Sequence, residues 1–131
     1  LICINRQVPR GNCRSSMRLF ITFLLFILLH IGVWFSSNTQ LMSEVWKARS
    51  FWIMIALAIP TSLLAYYATR IGYSALGDSV WSLRFIGFGT SYLVFPVLTW
   101  MLLGESMLTL KTMLCIILSF VIVAIQLWMP T

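Results

Sequence analysis

The sequence predicts an all-α integral membrane protein with four transmembrane helices, and three observations carry that prediction. First, of 131 residues 60% are hydrophobic and 15% aromatic, while only nine Lys or Arg and three Asp or Glu carry charge. A soluble domain is roughly 45 to 50% apolar and about a quarter charged, and mean hydropathy here is +0.95. Second, the apolar residues are gathered into four runs, each close to the roughly 20 residues that a helix needs to cross a bilayer. Third, the runs are continuous, without the period-two alternation of barrel strands.

Residues 1–16, LICINRQVPRGNCRSS, differ sharply in composition from the rest of the chain and carry Arg6, Arg10 and Arg14. The first Met is Met17, next to Arg18 and the first apolar run. Two readings are open: upstream reading-frame sequence with no fold, translation starting at Met17, or a basic tail on the cytoplasmic surface. A cleaved signal peptide fits poorly, because the run is long and Trp34 and Phe35 stand where small residues would be needed. The first span is 19–35, LFITFLLFILLHIGVWF, and the second is 51–68, FWIMIALAIPTSLLAYYA, both free of Asp, Glu, Lys and Arg. Between them, 36–50 is the longest connection, with Ser, Asn and Thr to end one helix and an amphipathic stretch before the next. The segment 69–79 holds two glycines and an Asp78-Ser79 pair suited to capping the third helix. The third span, 80–103, contains one charge, Arg84. Gly104 suits the left-handed position that ends a helix, and Ser106 is expected to cap the fourth, so helices three and four form an antiparallel hairpin. The fourth apolar run is 112–129, within a helix expected over 107–129.

Charge placement bears on orientation, because Lys and Arg near span ends favour the cytoplasm. Arg18, Arg70 and Arg84 lie on the side of the amino terminus, against Lys47, Arg49 and Lys111 on the other. Three against three permits insertion both ways and antiparallel homodimers. Counting the tail makes it six against three, with both termini in the cytoplasm of a cell (inner) membrane. The net charge of +6 is thus a topology signal, and no nucleic-acid partner is expected.

Reactive groups are too few and too scattered for an enzyme. There is one histidine, and Cys3, Cys13 and Cys115 are far apart, so no metal-ligand set and no cofactor is expected. Glu44, Asp78 and Glu105 all fall outside the spans.

Polar groups inside the spans are the candidate functional residues, because they are costly in hydrocarbon and usually face a bundle interior or a cavity. His30 lies about 16 Å into helix one at about 1.5 Å per residue. It is either a ligand or proton site or a neutral imidazole bonded to a neighbouring helix. Arg84, about 7 Å into helix three, either snorkels to the headgroups or shares a stripe with Gly87 and Ser91. Pro60 and Pro96 interrupt helices two and three, as at transporter substrate sites or simply as tolerated spans. Gly87 and Gly89 make a hinge or a close helix contact. Tyr66 and Tyr67, with Trp46, Trp52, Trp81 and Trp128, suit an interfacial belt or a substrate-stacking wall.

Three stretches carry a resemblance to a known family: Arg70-Ile71-Gly72-Tyr73 after helix two, Gly87-Phe88-Gly89 in helix three, and Leu103-Gly104-Glu105-Ser106 before the last helix. Over about 51–128 the chain resembles the drug/metabolite transporter superfamily, especially its four-helix, single-unit members. The resemblance implies a small-multidrug-resistance-like helical bundle and a small-molecule carrier. The characterised four-helix relatives carry a Glu in the middle of helix one that binds protons and cations in competition. Here the polar group at that depth is His30 and no span holds Asp or Glu, so organic-cation export in that style is not expected, and Arg84 favours neutral or anionic cargo.

The resulting expectation is a dimer, because four helices enclose little space, with a cavity lined by His30, Tyr66, Arg84 and Ser91 and rocking helped by Pro60, Gly87 and Gly89. The alternative is a non-transporting subunit or assembly factor of a larger membrane complex, with the same faces serving as helix contacts.

Overall fold

The computed structural model describes residues 12–106 and 108–128. Every regular element among them is helical: α1 Asn12–Asn38, a 3-10 turn Thr39–Leu41, α2 Glu44–Ala75, α3 Val80–Leu103 and α4 Leu110–Trp128. The first three are long and apolar enough to cross a membrane. α4 is shorter at 19 residues, about 28 Å by helical rise against a hydrocarbon thickness of about 30 Å.

The four expected helices are present; α3 keeps its expected bounds of 80–103, the other three shift, and side chains explain how. α1 begins at Asn12, so residues 12–16 of the expected tail are helical, and Ser15 Oγ donates to the Ala75 carbonyl at 3.3 Å. The remainder of the tail, with Cys3, Arg6 and Arg10, lies outside the described residues. The long connection expected over 36–50 shrinks to a turn. At the end of α1, Thr39 Oγ1 donates to the Phe35 carbonyl and Gln40 Nε2 to that of Ser37 at 3.0 Å, satisfying carbonyls that a helix end leaves without partners. The amphipathic stretch is the start of α2, where Glu44 sits in the first turn 3.7 Å from Lys47, the sign that the helix dipole favours.

At its far end α2 continues to Ala75, so Arg70-Ile71-Gly72-Tyr73 is helical rather than beyond the helix. Gly77 at φ +63° then reverses the chain, and the Asp78 N–H bonds back to the Tyr73 carbonyl at 3.0 Å, a Schellman-type close. Ser79 caps α3 as expected, accepting from the Ser82 N–H at 3.3 Å. Gly104 ends α3 at φ +70°, in the left-handed region expected for it. Ser106 does not cap α4. Its Oγ accepts from the Leu108 N–H at 3.2 Å, while Thr109 Oγ1 accepts from the Thr112 N–H at 3.3 Å and the Thr109 carbonyl from Met113 at 2.9 Å. The cap is therefore Thr109, and α4 starts at Leu110 rather than 107.

Neither proline ends its helix: α2 runs through Pro60 and α3 through Pro96. Next to Pro60, Thr61 Oγ1 donates to the Leu57 carbonyl at 2.6 Å and Ser62 Oγ to that of Ala58 at 2.7 Å, the kind of local side-chain bonding that lets spans tolerate proline.

Close contacts set the packing order. Ser15 meets Ala75, Gly72 faces Thr22, Phe26 clusters with Ala68, and Gly32 faces Thr61; rising numbers on α1 against falling numbers on α2 mark an antiparallel pair. On its other side α1 runs parallel to α3, with Phe26 against Gly87, His30 against Thr90 and Trp34 against Thr99. α4 returns along α3, with Val123 against Gly89. α2 and α3 meet only slightly. The arrangement is thus an open row, α2–α1–α3–α4. Its core of Phe26, Ala68 and Leu83 sits where the first three helices converge, supported by Leu25, Leu29, Leu76 and Ile86. Large apolar side chains cover the outside, among them Ile59 at 72% and Met101 at 69% exposed, an outer face suited to lipid and not to water.

Candidate functional site

Four helical residues build the polar part of one cavity between α1, α2 and α3. It encloses about 280 Å³ and is lined by His30 from α1, Thr69 and Tyr73 from α2, and Arg84 from α3, over an apolar floor that includes Phe26 and Leu83. Antiparallel α1 and α2 bring residues 26–30 level with 65–73. Parallel α1 and α3 bring the same turn of α1 level with 83–90. Two of the four side chains expected in a cavity, His30 and Arg84, are therefore brought together.

The other two are placed elsewhere. Tyr66 is 55% exposed, its OH accepts from Arg70 Nη1 at 3.1 Å, and its ring meets Tyr67 edge-on at 5.3 Å. About two turns further along α2, Tyr73 supplies the cavity's phenol. Ser91 Oγ donates to the Phe88 carbonyl at 2.7 Å and does not line the cavity; the hydroxyl beside His30 is that of Thr90. The two exchanges have different geometric causes: residues 66 and 73 share a face of α2 and differ by about two turns in height, whereas 90 and 91 differ by about 100° around α3.

His30 is held by bonds of definite sense. Its Nδ1 lies 2.7 Å from the Phe26 carbonyl. A carbonyl only accepts, so Nδ1 carries a proton and donates. Thr90 Oγ1 lies 3.2 Å from the same nitrogen and donates to the Gly87 carbonyl at 2.7 Å. No described residue bonds Nε2, which leaves it as the nitrogen able to meet a guest. Phe26 stacks on the imidazole at 6.2 Å and Phe95 meets it edge-on at 6.3 Å. Arg84 is exposed and forms no ion pair among the described residues. The site thus offers a cation, an imidazole nitrogen and two hydroxyls, with no carboxylate.

The glycines act at contacts. A Cβ on Gly87 would stand 3.4 Å from Phe26 Cε1, and one on Gly89 3.3 Å from Val123 Cγ2, so the first admits α1 and the second α4. Pro60 lines a separate apolar groove of about 490 Å³ between α1 and α2, with Gly32 and Trp46. Pro96 is half-buried within α3, and Glu105 is exposed beside Gly104 in the turn.

Composition does not point to two residues that pack the helices near the site. Trp34 is fully buried and its indole N–H donates to Thr99 Oγ1 at 3.0 Å, while Gly72 sits so close to α1 and α3 that a Cβ would come within 2.6 Å of both Leu83 Cδ1 and Thr22 Cγ2. The signal for the first was the i, i+4 series Thr22, Phe26, His30, Trp34, which puts all four on one face of α1. Comparison of the chain with protein-family models, with curated proteins and with solved structures gives no match.

Proposed function

We propose that this chain is an integral membrane protein that works as a small-molecule carrier of drug/metabolite transporter type, assembled as a dimer and moving neutral or anionic cargo. The observation that carries the reading is the cavity shared by His30, Thr69, Tyr73 and Arg84, with a cation at its rim and no acid within it. An arginine unmatched by a carboxylate attracts negative charge or a carbonyl oxygen and repels the quaternary ammonium compounds that a membrane glutamate would serve. At about 280 Å³ the space falls at the lower edge of ordinary small-molecule sites. A second copy facing the open row would enlarge and enclose it. α4, which has no buried side chain among those described, offers surface for such a partner.

Reconstituted into liposomes, the wild-type chain is expected to show substrate-dependent flux in a screen of small organic anions and neutral metabolites, with His30→Ala and Arg84→Ala each abolishing it. Flux equal to wild type in both variants would defeat the proposal. The open face of α4 also suits a heteromeric subunit. That reading prevails if a partner co-purifies stoichiometrically and neither variant alters any flux.

A further inference from the structure

A second polar cleft lies at one edge of the helix row, and its chemistry differs from that of the cavity above. Arg18 on α1 and Arg70 on α2 line it together with Tyr67, Ile71 and Ser74, around about 560 Å³ of open space. Arg18 immediately precedes the apolar run 19–35, and Arg70 stands two residues beyond the run 51–68. Because α1 and α2 are antiparallel, both guanidinium groups come to the same border of the apolar surface.

These two charges have no protein counter-ion among the described residues. The chain has three carboxylates. Glu44 pairs with Lys47 at the opposite end of α2, Glu105 lies beyond the far end of α3, and Asp78 forms no ion pair among the described residues. Among those residues the one hydrogen bond made by either guanidinium runs from Arg70 Nη1 to the Tyr66 OH at 3.1 Å, which steadies Arg70 and leaves its other donors unused. Tyr67, 50% exposed, and Ile71 give the cleft an apolar flank.

We propose that Arg18 and Arg70 form an interfacial site for the phosphate group of an acidic phospholipid. A pair of guanidinium forks matches phosphate oxygens in geometry and charge, and at the rim of the hydrocarbon a lipid presents its phosphate at that depth while its acyl chains run along Tyr67, Leu63 and Ile59, exposed at i−4 steps on α2. Basic pockets between membrane helices bind anionic headgroups on the same principle. The inference rests on the apolar runs lying in a bilayer and is independent of whether the chain transports anything.

The test uses the full chain purified in dodecyl maltoside, where insertion orientation has no influence, and native mass spectrometry with phosphatidylglycerol or phosphatidylcholine of identical acyl chains. Phosphatidylglycerol is expected to be retained more tightly. Arg18→Gln and Arg70→Gln are each expected to weaken retention roughly fivefold, and together about 25-fold, from about one favourable contact energy per basic residue. The pair Lys47→Gln and Arg49→Gln, which removes equal charge at the other end, leaves retention unchanged. If the glutamine double variant is not recovered folded, Arg18→Lys with Arg70→Lys serves, with several-fold weaker retention expected from loss of the paired forks. Equal retention of the two lipids, or wild-type retention in the substituted protein, overturns the proposal. Displacement of the lipid by micromolar glycerol phosphate overturns the lipid as ligand and assigns the cleft to a soluble phosphate ester.

Discussion

α1 and α4 are both apolar helices, yet α1 buries Thr22, Phe26 and Trp34, whereas α4 has no buried side chain among those described and packs chiefly on α3. α4 is the more apolar of the two, so hydrophobicity does not decide which helix is central. In a bilayer this is physically reasonable, since lipid tails solvate a leucine as well as another helix does, and association depends on close approach and on polar groups that find partners. α1 has Gly32 against Thr61, Thr22 against Gly72, His30 beside Thr90 and Trp34 bonded to Thr99. The polar groups of α4 turn inward on their own helix: Ser119 Oγ donates to the Cys115 carbonyl at 2.8 Å.

The sharpest way to break this comparison is to empty one position on each helix. Trp34→Ala removes a fully buried ring and strands the Thr99 hydroxyl, and is expected to cost about 3 to 5 kcal/mol. Leu118→Ala, at a side chain 60% exposed, is expected to stay within about 0.5 kcal/mol. Reversible unfolding in mixed micelles reads both. If Leu118→Ala proves as costly as Trp34→Ala, α4 is covered by another chain and the contrast belongs to the isolated protomer alone.

Adding volume gives a smaller effect from the opposite direction. Gly72→Ala would set a Cβ 2.5 Å from Leu83 Cδ1 and 2.6 Å from Thr22 Cγ2. Both neighbours are themselves buried, and threonine is stiff at χ1, so neither can yield freely. The expected loss is about 1 to 3 kcal/mol, measured by the same unfolding transition. Cys115→Leu on exposed α4 adds more volume and is expected to change nothing measurable. Equal tolerance at both positions would show that α1, α2 and α3 do not converge as tightly as their contacts indicate.

How much of this was legible in the sequence depends on range. The apolar runs, Gly104 as a left-handed helix end and Ser79 as a cap are local properties, readable from a few adjacent residues. His30 stood out because an ionisable group at mid-span is rare. Its grouping with Arg84 was anticipated, but Tyr66 and Ser91 were not separable from Tyr73 and Thr90 without the axial register and relative rotation of three helices, which no single run encodes. The lengths of α1 and α2 were understated for a related reason. Hydropathy locates the stretch that prefers lipid, whereas the backbone continues wherever polar side chains can serve its ends, as Thr39 and Gln40 do for α1 and Glu44 does for α2. The open row, in turn, reflects pairings between distant positions, and the sequence carries those only as an unassigned inventory of small and polar residues.

The smallest expected effect concerns the turn that joins α4 to the rest. Thr109 accepts from the Thr112 N–H and also donates to Thr112 Oγ1 at 2.7 Å, while Ser106 bonds only two residues ahead, within the turn. Thr109→Ala therefore exposes an unpartnered N–H in the first turn of α4 and is expected to cost about 1 kcal/mol, whereas Ser106→Ala is expected to cost a few tenths. Because α4 leans chiefly on α3, this loss should appear first as fraying rather than as global unfolding: faster amide exchange from Lys111 to Met113, with exchange in α1 unchanged. Faster exchange after Ser106→Ala instead would return the cap to Ser106 and lengthen α4 by a turn. If Thr109→Ala accelerated exchange in α1 as well, α4 would be coupled to the core, and the difference between the two helices would be one of exposure only.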